Sequence, residues 1–272
     1  MKIYKATNTI DNYLPNNLNF TLSKKETDIL LIGGKNIKLS EFPNLKGIFK
    51  TGVGVDNIPF EEAKIKNISI GLPSESTSEI IYEETASFTC FLILKGIYLN
   101  SGDWYSWKKE ARKSLKDKNL LVIGAGRIGK RVLKKMSDFM NIDSYDILKD
   151  EEITLKGKIK NADVISLHIP LDESTKNMFD ANKLSWIKDD ALLVNTSRAP
   201  VISEDDLFNE LINNRFKCAA DVFWKEPYKG KLADLPEDIF MKTPHIASTC
   251  KEFIKNTTID FIEFTNKFMK TN

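Results

Sequence analysis

"LLVIGAGRIGKR", residues 120–131, places four apolar residues ahead of glycines at 124, 126 and 129. Glycines in G-x-G-x-x-G spacing occur in many turns, so the spacing alone says little. Here an apolar strand runs into the motif and an amphipathic helix leaves it, which is the context a phosphate cradle needs. Gly124 allows the tight turn, Gly126 lets the backbone approach a pyrophosphate, and Gly129 lets the helix pack close on the strand. The helix start adds free N–H donors and a favourable dipole. Asp146, in "SYDI", stands at the end of the next apolar run. A carboxylate there accepts hydrogen bonds from a ribose and repels a 2′-phosphate, which favours NAD over NADP. Lys149 lies close enough to soften that preference. Arg127 and Ile128, between the last two glycines, join the expected cofactor set.

Outward from this motif, short apolar runs alternate with helical stretches. "DILLIG" (28–33), "KGIFK" (46–50) and "NISIGL" (67–72) precede a long helical stretch from Ser78 to Leu99. After the motif come "IDSYDI" (142–147), "DVISLH" (163–168), "ALLVNT" (191–196), "KCAADVF" (217–223) and "IFMK" (239–242). Near-continuous apolar strands separated by helices predict parallel sheets covered on both faces, an α/β architecture. "RIGKRVLKKMSDFM" puts Ile128, Val132, Met136 and Phe139 on one helical face. Ser203, with Asp206 three residues on, reads as a helix start. The polar stretch "NSGDWYSWKKEARKS" (100–114) is the expected domain seam.

Composition narrows the class. Forty basic against 38 acidic residues leave a net charge of +2, which gives no reason to expect nucleic acid or an anionic membrane as partner. Three scattered cysteines form no CxxC pair, so neither a disulfide framework nor a metal site is expected. The N-terminus lacks the apolar core of a signal peptide, and "FTCFLIL" (88–94) is too short to span a bilayer. The expectation is a cytoplasmic protein.

A hydride carrier needs partners. Reducing a 2-keto acid takes a cation for the carboxylate and carbonyl, an acid for the new alkoxide, and a group that orients the acid. Arg198 follows "ALLVNTS", Glu226 sits in "DVFWKEP" just past the next strand, and His245 follows the last one in "TPHIA". All three fall at successive strand ends, the edge where open α/β sheets bind ligands. The chain holds only two histidines, and the other, His168 in "SLHIP", reads as structural. Taken one at a time, these residues have bland readings: a surface arginine, a loop glutamate, a packing histidine.

"KTGVGVDNIP" (50–59), "GAGRIG" (124–129), "SLHIPLDEST" (166–175), "LLVNTSRAPVISEDDL" (192–207), "AADVFWKEP" (219–227) and "TPHIA" (243–247) occur in order. Together they resemble the signatures of the D-isomer-specific 2-hydroxyacid dehydrogenases, nearest the phosphoglycerate and glycerate dehydrogenase branch. The resemblance implies two Rossmann- or flavodoxin-like domains with the cofactor domain inserted into the substrate domain. Residues 1–98 plus 250–272 would form the substrate domain and 99–249 the NAD-binding domain. It implies Arg198 as the substrate-orienting arginine and Glu226 with His245 as the catalytic pair. Asp221 would lie near the nicotinamide carboxamide and Thr196 beside the cofactor. Val53 and Gly54 would offer backbone N–H groups to the substrate carboxylate, in an anion nest. It also implies a homodimer paired through the cofactor domains, acting on a small 2-keto or 2-hydroxy acid without a metal. The alternative is a catalytically silent NAD-binding scaffold or redox-sensing regulator, which would have no need of Arg198, Glu226 and His245 together.

The chain departs from the family pattern in places. It is shorter than typical members, mostly between Asp146 and Asp163, where a longer loop and helix usually flank the adenosine. "RAP" replaces arginine–glycine at Ala199, and Pro200 removes an N–H donor. Lys50, just before the carboxylate loop, is a candidate cation for a phosphorylated substrate; its plainer reading is a solvated charge at a strand end.

Overall fold

A computed structural model describes residues 1–99 and 101–269, with Met269 described by its backbone alone. The chain runs β1 (Ile3–Lys5), β2 (Phe20–Thr21), β3 (Ile29–Ile32), β4 (Gly47–Lys50), α1 (Phe60–Ile65), β5 (Ser69–Gly71) and α2 (Glu75–Tyr98). A hairpin of β6 (Gly102–Asp103) and β7 (Lys108–Lys109) follows, then β8 (Asn119–Ile123), α3 (Arg127–Met136), β9 (Asn141–Tyr145), α4 (Glu152–Asn161) and β10 (Val164–Leu167). The chain continues through α5 (Ala181–Leu184), β11 (Leu192–Asn195), α6 (Glu204–Ile212), β12 (Lys217–Ala220), β13 (Phe240–Lys242) and α7 (Lys251–Met269). It divides into two compact units, one of Met1–Ile81 with the segment from Ser248, the other of Tyr82–Ala247.

The first unit is a parallel sheet in the order β2-β1-β3-β4-β5, a flavodoxin-like winding. Ile29 to Ile32 of β3 are fully buried, as expected of a strand covered on both faces. Leu30, Ile32 and Ile48 pack on one side with Phe42, Ile58 and Ala63. Ile29, Leu31 and Phe49 pack on the other with Phe261 and Phe264 of α7. The Phe49 ring lies 5.4 Å from that of Phe261 and 5.6 Å from that of Phe264.

The second unit is a six-stranded parallel sheet in the order β13-β12-β11-β10-β8-β9. Leu121, Ile123, Ile165, Leu167 and Leu193 face a core shared with Leu155 and Ile159 of α4 and with Leu207 and Leu211 of α6. Leu120, Val122, Val164 and Val194 face Ala86, Leu92 and Ile93 of α2 and Val132 and Met136 of α3. Strand order reverses between β8 and β10, so a topological switch point lies above the C-terminal end of β8. Relative to the six-stranded winding 3-2-1-4-5-6, the outermost strand is missing. The short stretch after Asp146 goes straight into α4, which leaves β9 as the edge. Lys158 of α4 guards that edge, donating to Asp143 Oδ1 at 2.6 Å and to the Ser144 carbonyl at 2.9 Å.

Two details differ from the sequence reading. The units divide at Ile81/Tyr82 and Ala247/Ser248, because α2 from Ala86 onward packs on the second sheet, whereas the sequence put the seam after residue 98. α3 ends at Met136, so Phe139 is 44% exposed and Met140, at 3%, takes the buried place. No helix among the described residues is long and apolar enough to cross a membrane.

Candidate active site

The turn after β8 has the geometry the glycines called for. Gly124 has φ +95°, and a Cβ there would meet the His168 carbonyl oxygen at 2.5 Å. A Cβ on Gly129 would lie 2.0 Å from the Gly124 carbonyl oxygen, so helix and turn are in backbone contact. At Gly126 a Cβ would meet nothing within 4 Å. The two outer glycines are thus needed by the fold, while the middle one faces open space at the N-terminus of α3, as a pyrophosphate site requires. Arg127 opens α3 and donates to the Tyr82 hydroxyl at 2.7 Å, and Ile128 packs onto the sheet below.

Asp146 follows β9 directly. Its Oδ1 accepts from the Leu148 N–H at 3.1 Å, and its Oδ2 lies 3.8 Å from Lys149 Nζ. Thr196, after β11, is buried, and its hydroxyl is paired with that of Thr89 at 2.8 Å.

Arg198 comes two residues later, in an extended conformation held by Asn195. Asn195 Oδ1 accepts from the Ser197 N–H at 3.0 Å and from its hydroxyl at 2.9 Å, while Nδ2 donates to the Arg198 carbonyl at 2.9 Å. Asn195 was not singled out in the sequence. An asparagine closing a strand just before "TSR" was the available signal, because such residues bond their own following backbone.

Glu226 and His245 meet after β12 and β13. His245 Nδ1 lies 3.0 Å from Glu226 Oε1 and 2.9 Å from Oε2. The Phe223 N–H also donates to Oε1, at 3.2 Å. Burial pushes the Glu226 carboxyl upward, but the His245 hydrogen bond, the charge of that ring, Phe223 and the charge of Arg198 outweigh it, and the result lies below the ordinary value. His245 itself has φ +55°, a left-handed backbone uncommon outside glycine.

Asp221 explains how that backbone is held. It is fully buried, and its Oδ1 accepts from the Thr243 hydroxyl at 2.6 Å and the Ile246 N–H at 2.9 Å. Its Oδ2 accepts from the Ala247 N–H at 2.8 Å. Three of about four acceptor positions of the carboxylate therefore hold the turn that carries His245. Burial raises the Asp221 carboxyl above its usual range, against those three hydrogen bonds and the charge of His245.

His168, the other histidine, bonds Ser166 through Nε2 at 2.8 Å. Part of its surface is exposed, yet burial of the ring lowers its pKa to about 4, so it is neutral near pH 7. Val53 and Gly54 belong to the first unit, in the loop after β4. No residue from 51 to 57 has positive φ, so the loop is not a nest of alternating hand. Among the described residues, no backbone acceptor takes the N–H groups of Gly52, Val53 or Gly54. Lys50 overturns its plainer reading: it is 5% exposed, and its Nζ donates to the Gly33 carbonyl at 2.6 Å and to Asn57 Oδ1 at 2.9 Å. No cluster of three or more His, Cys, Asp or Glu among the described residues could hold a metal ion.

Gly124, Asp146, His168, Arg198, Asp221 and His245 all lie just past the C-terminal ends of β8 to β13, on one edge of the second sheet. Residues 95–247 match the model described as "D-isomer specific 2-hydroxyacid dehydrogenase, NAD binding domain". Over 260 residues the chain is 31% identical to the hydroxypyruvate reductase of Thermotoga maritima, covering 88% of this chain and 80% of that protein. It is also 31% identical over 252 residues to the D-3-phosphoglycerate dehydrogenase of Methanocaldococcus jannaschii, covering 84% of this chain but 47% of that longer protein. A phosphoglycerate oxidoreductase structure from Vibrio cholerae O395 superposes with a TM-score of 0.81 at 22% identity, over the whole of both chains.

Proposed function

The chain belongs to the D-isomer-specific 2-hydroxyacid dehydrogenase family, and from that premise we propose that it interconverts a small 2-keto acid and its D-2-hydroxy acid through Arg198, Glu226 and His245. The observation that carries this reading is the His245–Glu226 pair, with the carboxylate 2.9 Å from Nδ1 and Arg198 near enough to lower the Glu226 pKa.

Bound NADH supplies the hydride, and everything else falls to the protein. The segment Gly124 to Gly129 would hold the cofactor's pyrophosphate and Asp146 its ribose, an arrangement that favours NAD over NADP. Arg198 holds the substrate carboxylate and polarises the keto oxygen, its planar fork suiting both. In the first unit, the N–H groups of Val53 and Gly54, which no backbone acceptor takes among the described residues, are the donors we assign to a substrate carboxylate. Glu226, ionised at neutral pH, keeps the Nδ1 proton of His245 in place, so Nε2 is the atom that gives a proton to the alkoxide oxygen in reduction and takes it back in oxidation.

We assign the working form as a homodimer paired through the cofactor units. The hairpin β6–β7 supports this, since its turn carries Trp104, Tyr105 and Trp107 at 76%, 97% and 68% exposure. Relatives named for hydroxypyruvate and for phosphoglycerate leave the substrate to experiment. A panel of hydroxypyruvate, glyoxylate, pyruvate and 3-phosphohydroxypyruvate, assayed with NADH and NADPH separately, decides it. NADH-dependent reduction of one or more acids sustains the reading; tight NADH binding with no turnover of any of them counts against it.

A further inference from the structure

Lys50 closes β4 at the C-terminal edge of the first sheet, where a strand end usually leaves a lysine in water. Instead its ammonium is buried in a knot of two loops. The Gly33 carbonyl accepts from Lys50 Nζ at 2.6 Å and from Asn57 Nδ2 at 2.9 Å. Asn57 also donates to the Lys35 carbonyl at 2.6 Å and accepts from Lys50 at 2.9 Å. At the near end of the same loop, the Thr51 N–H and hydroxyl both donate to the Ile32 carbonyl, at 2.9 and 3.2 Å. The segment Gly52–Asp56 is therefore tied down at both ends, with its first three N–H groups left free of backbone acceptors.

We propose that Lys50 is the positioning residue of the carboxylate loop and acts on the carboxylate common to every 2-keto acid, not on a distal phosphate. This rests on the functional reading above. A buried ammonium joined to Asn57 fixes the geometry of the loop that carries these N–H groups. The bonds to Gly33 and Asn57 engage the ammonium within the knot. Asn57 is the second half of the device, since its amide links both loops to the lysine.

The test uses the full chain with saturating NADH and three variants, Lys50→Met, Lys50→Arg and Asn57→Ala. KM and kcat are measured for hydroxypyruvate, glyoxylate and 3-phosphohydroxypyruvate, and the affinity for oxamate, a non-reacting analogue, is measured separately. Lys50→Met should raise KM for all three acids, and the oxamate Kd, by a similar factor of about ten, one lost charge-assisted hydrogen bond's worth. The NADH Kd and kcat should stay within about twofold, because the cofactor groups lie in the other unit. Asn57→Ala should move KM in the same direction while leaving the lysine in place.

A KM rise confined to 3-phosphohydroxypyruvate would make Lys50 a phosphate contact and overturn the proposal, as would unchanged KM for every acid. If thermal melting shows that Lys50→Met does not fold, Lys50→Arg and Asn57→Ala carry the same comparison. If the wild type reduces none of the acids, the functional reading fails on its own. Oxamate then still decides the knot: affinity lost in the variants sustains it, and equal or absent affinity in wild type and variants removes it.

Discussion

At the scale of single residues, the site is built by groups that hold other groups. Glu226 holds the His245 ring through Nδ1, Asn195 holds the backbone of Arg198, and Asp221 holds the turn on which His245 adopts its left-handed φ. Asp221→Asn puts an amide N–H against the Ala247 N–H or the Thr243 and Ile246 donors, so the turn must relax. The expected result is a fall in kcat of about 10- to 100-fold with little change in NADH Kd, since positioning rather than cofactor affinity is lost. Stopped-flow hydride transfer beside a fluorescence titration separates the two, and a weakened NADH Kd with normal hydride transfer would assign Asp221 to the cofactor alone. Glu226→Gln should cost about 10² to 10⁴ in kcat while the fold survives, because the amide no longer fixes the imidazole tautomer.

His168 makes a separate residue-scale prediction, about stability. Its pKa falls from 6.5 to about 4 on folding, so between these values the unfolded chain binds the proton and the folded chain does not. Its contribution is fully present above pH 6.5 and is lost as pH falls toward 4, at most about 3 kcal/mol. Urea midpoints of wild type and His168→Gln, taken at pH 7.5 and at pH 4.5, should converge on acidification, with the variant losing less. Parallel curves would show that the ring titrates normally.

At the scale of elements, the strand–turn–helix of β8 and α3 was the most legible part of the chain. Each glycine had a distinct steric duty once the spacing was read between an apolar strand and an amphipathic helix, and the structure separates those duties. Gly126→Ala should fold normally yet bind NADH weakly, because its Cβ enters only the open cradle. Gly129→Ala should lower the melting temperature sharply, because its Cβ lies 2.0 Å from a backbone oxygen with no side chain to move aside. Thermal melts and NADH titrations of both variants check this contrast, and equal melts would undo it. The buried strands β3, β4, β8 and β10 to β12 were also legible, being continuous apolar runs.

Other elements were not. β1 and β2 are short and carry no periodic pattern, so their place beside β3 depends on partners far along the chain. Nor could periodicity show that α3 stops at Met136, because the apolar spacing continues to Phe139 while the backbone does not. Lys50 was legible as a cation and illegible as a buried one, since its acceptors come from Gly33 and Asn57 on two different loops. In the same way, the carboxylate of Asp221 could be read as acidic, but its three donors lie more than twenty residues away.

At the scale of the whole molecule, two parallel sheets divide the work. The first holds the loop anchored through Lys50 and Asn57, and the second carries the glycine turn and, past its strand ends, Arg198 and the His245–Glu226 pair. In the second sheet β9 is the edge strand, so Asp146 stands beside an open sheet edge. The central claim is that His245 moves the proton while other residues hold the cofactor. The rate of keto-acid-dependent NADH oxidation, measured for wild type and His245→Ala at saturating NADH, tests it most directly. The assignment requires a loss of about 10³-fold or more in the variant with its NADH Kd unchanged; equal turnover in the two proteins would contradict it.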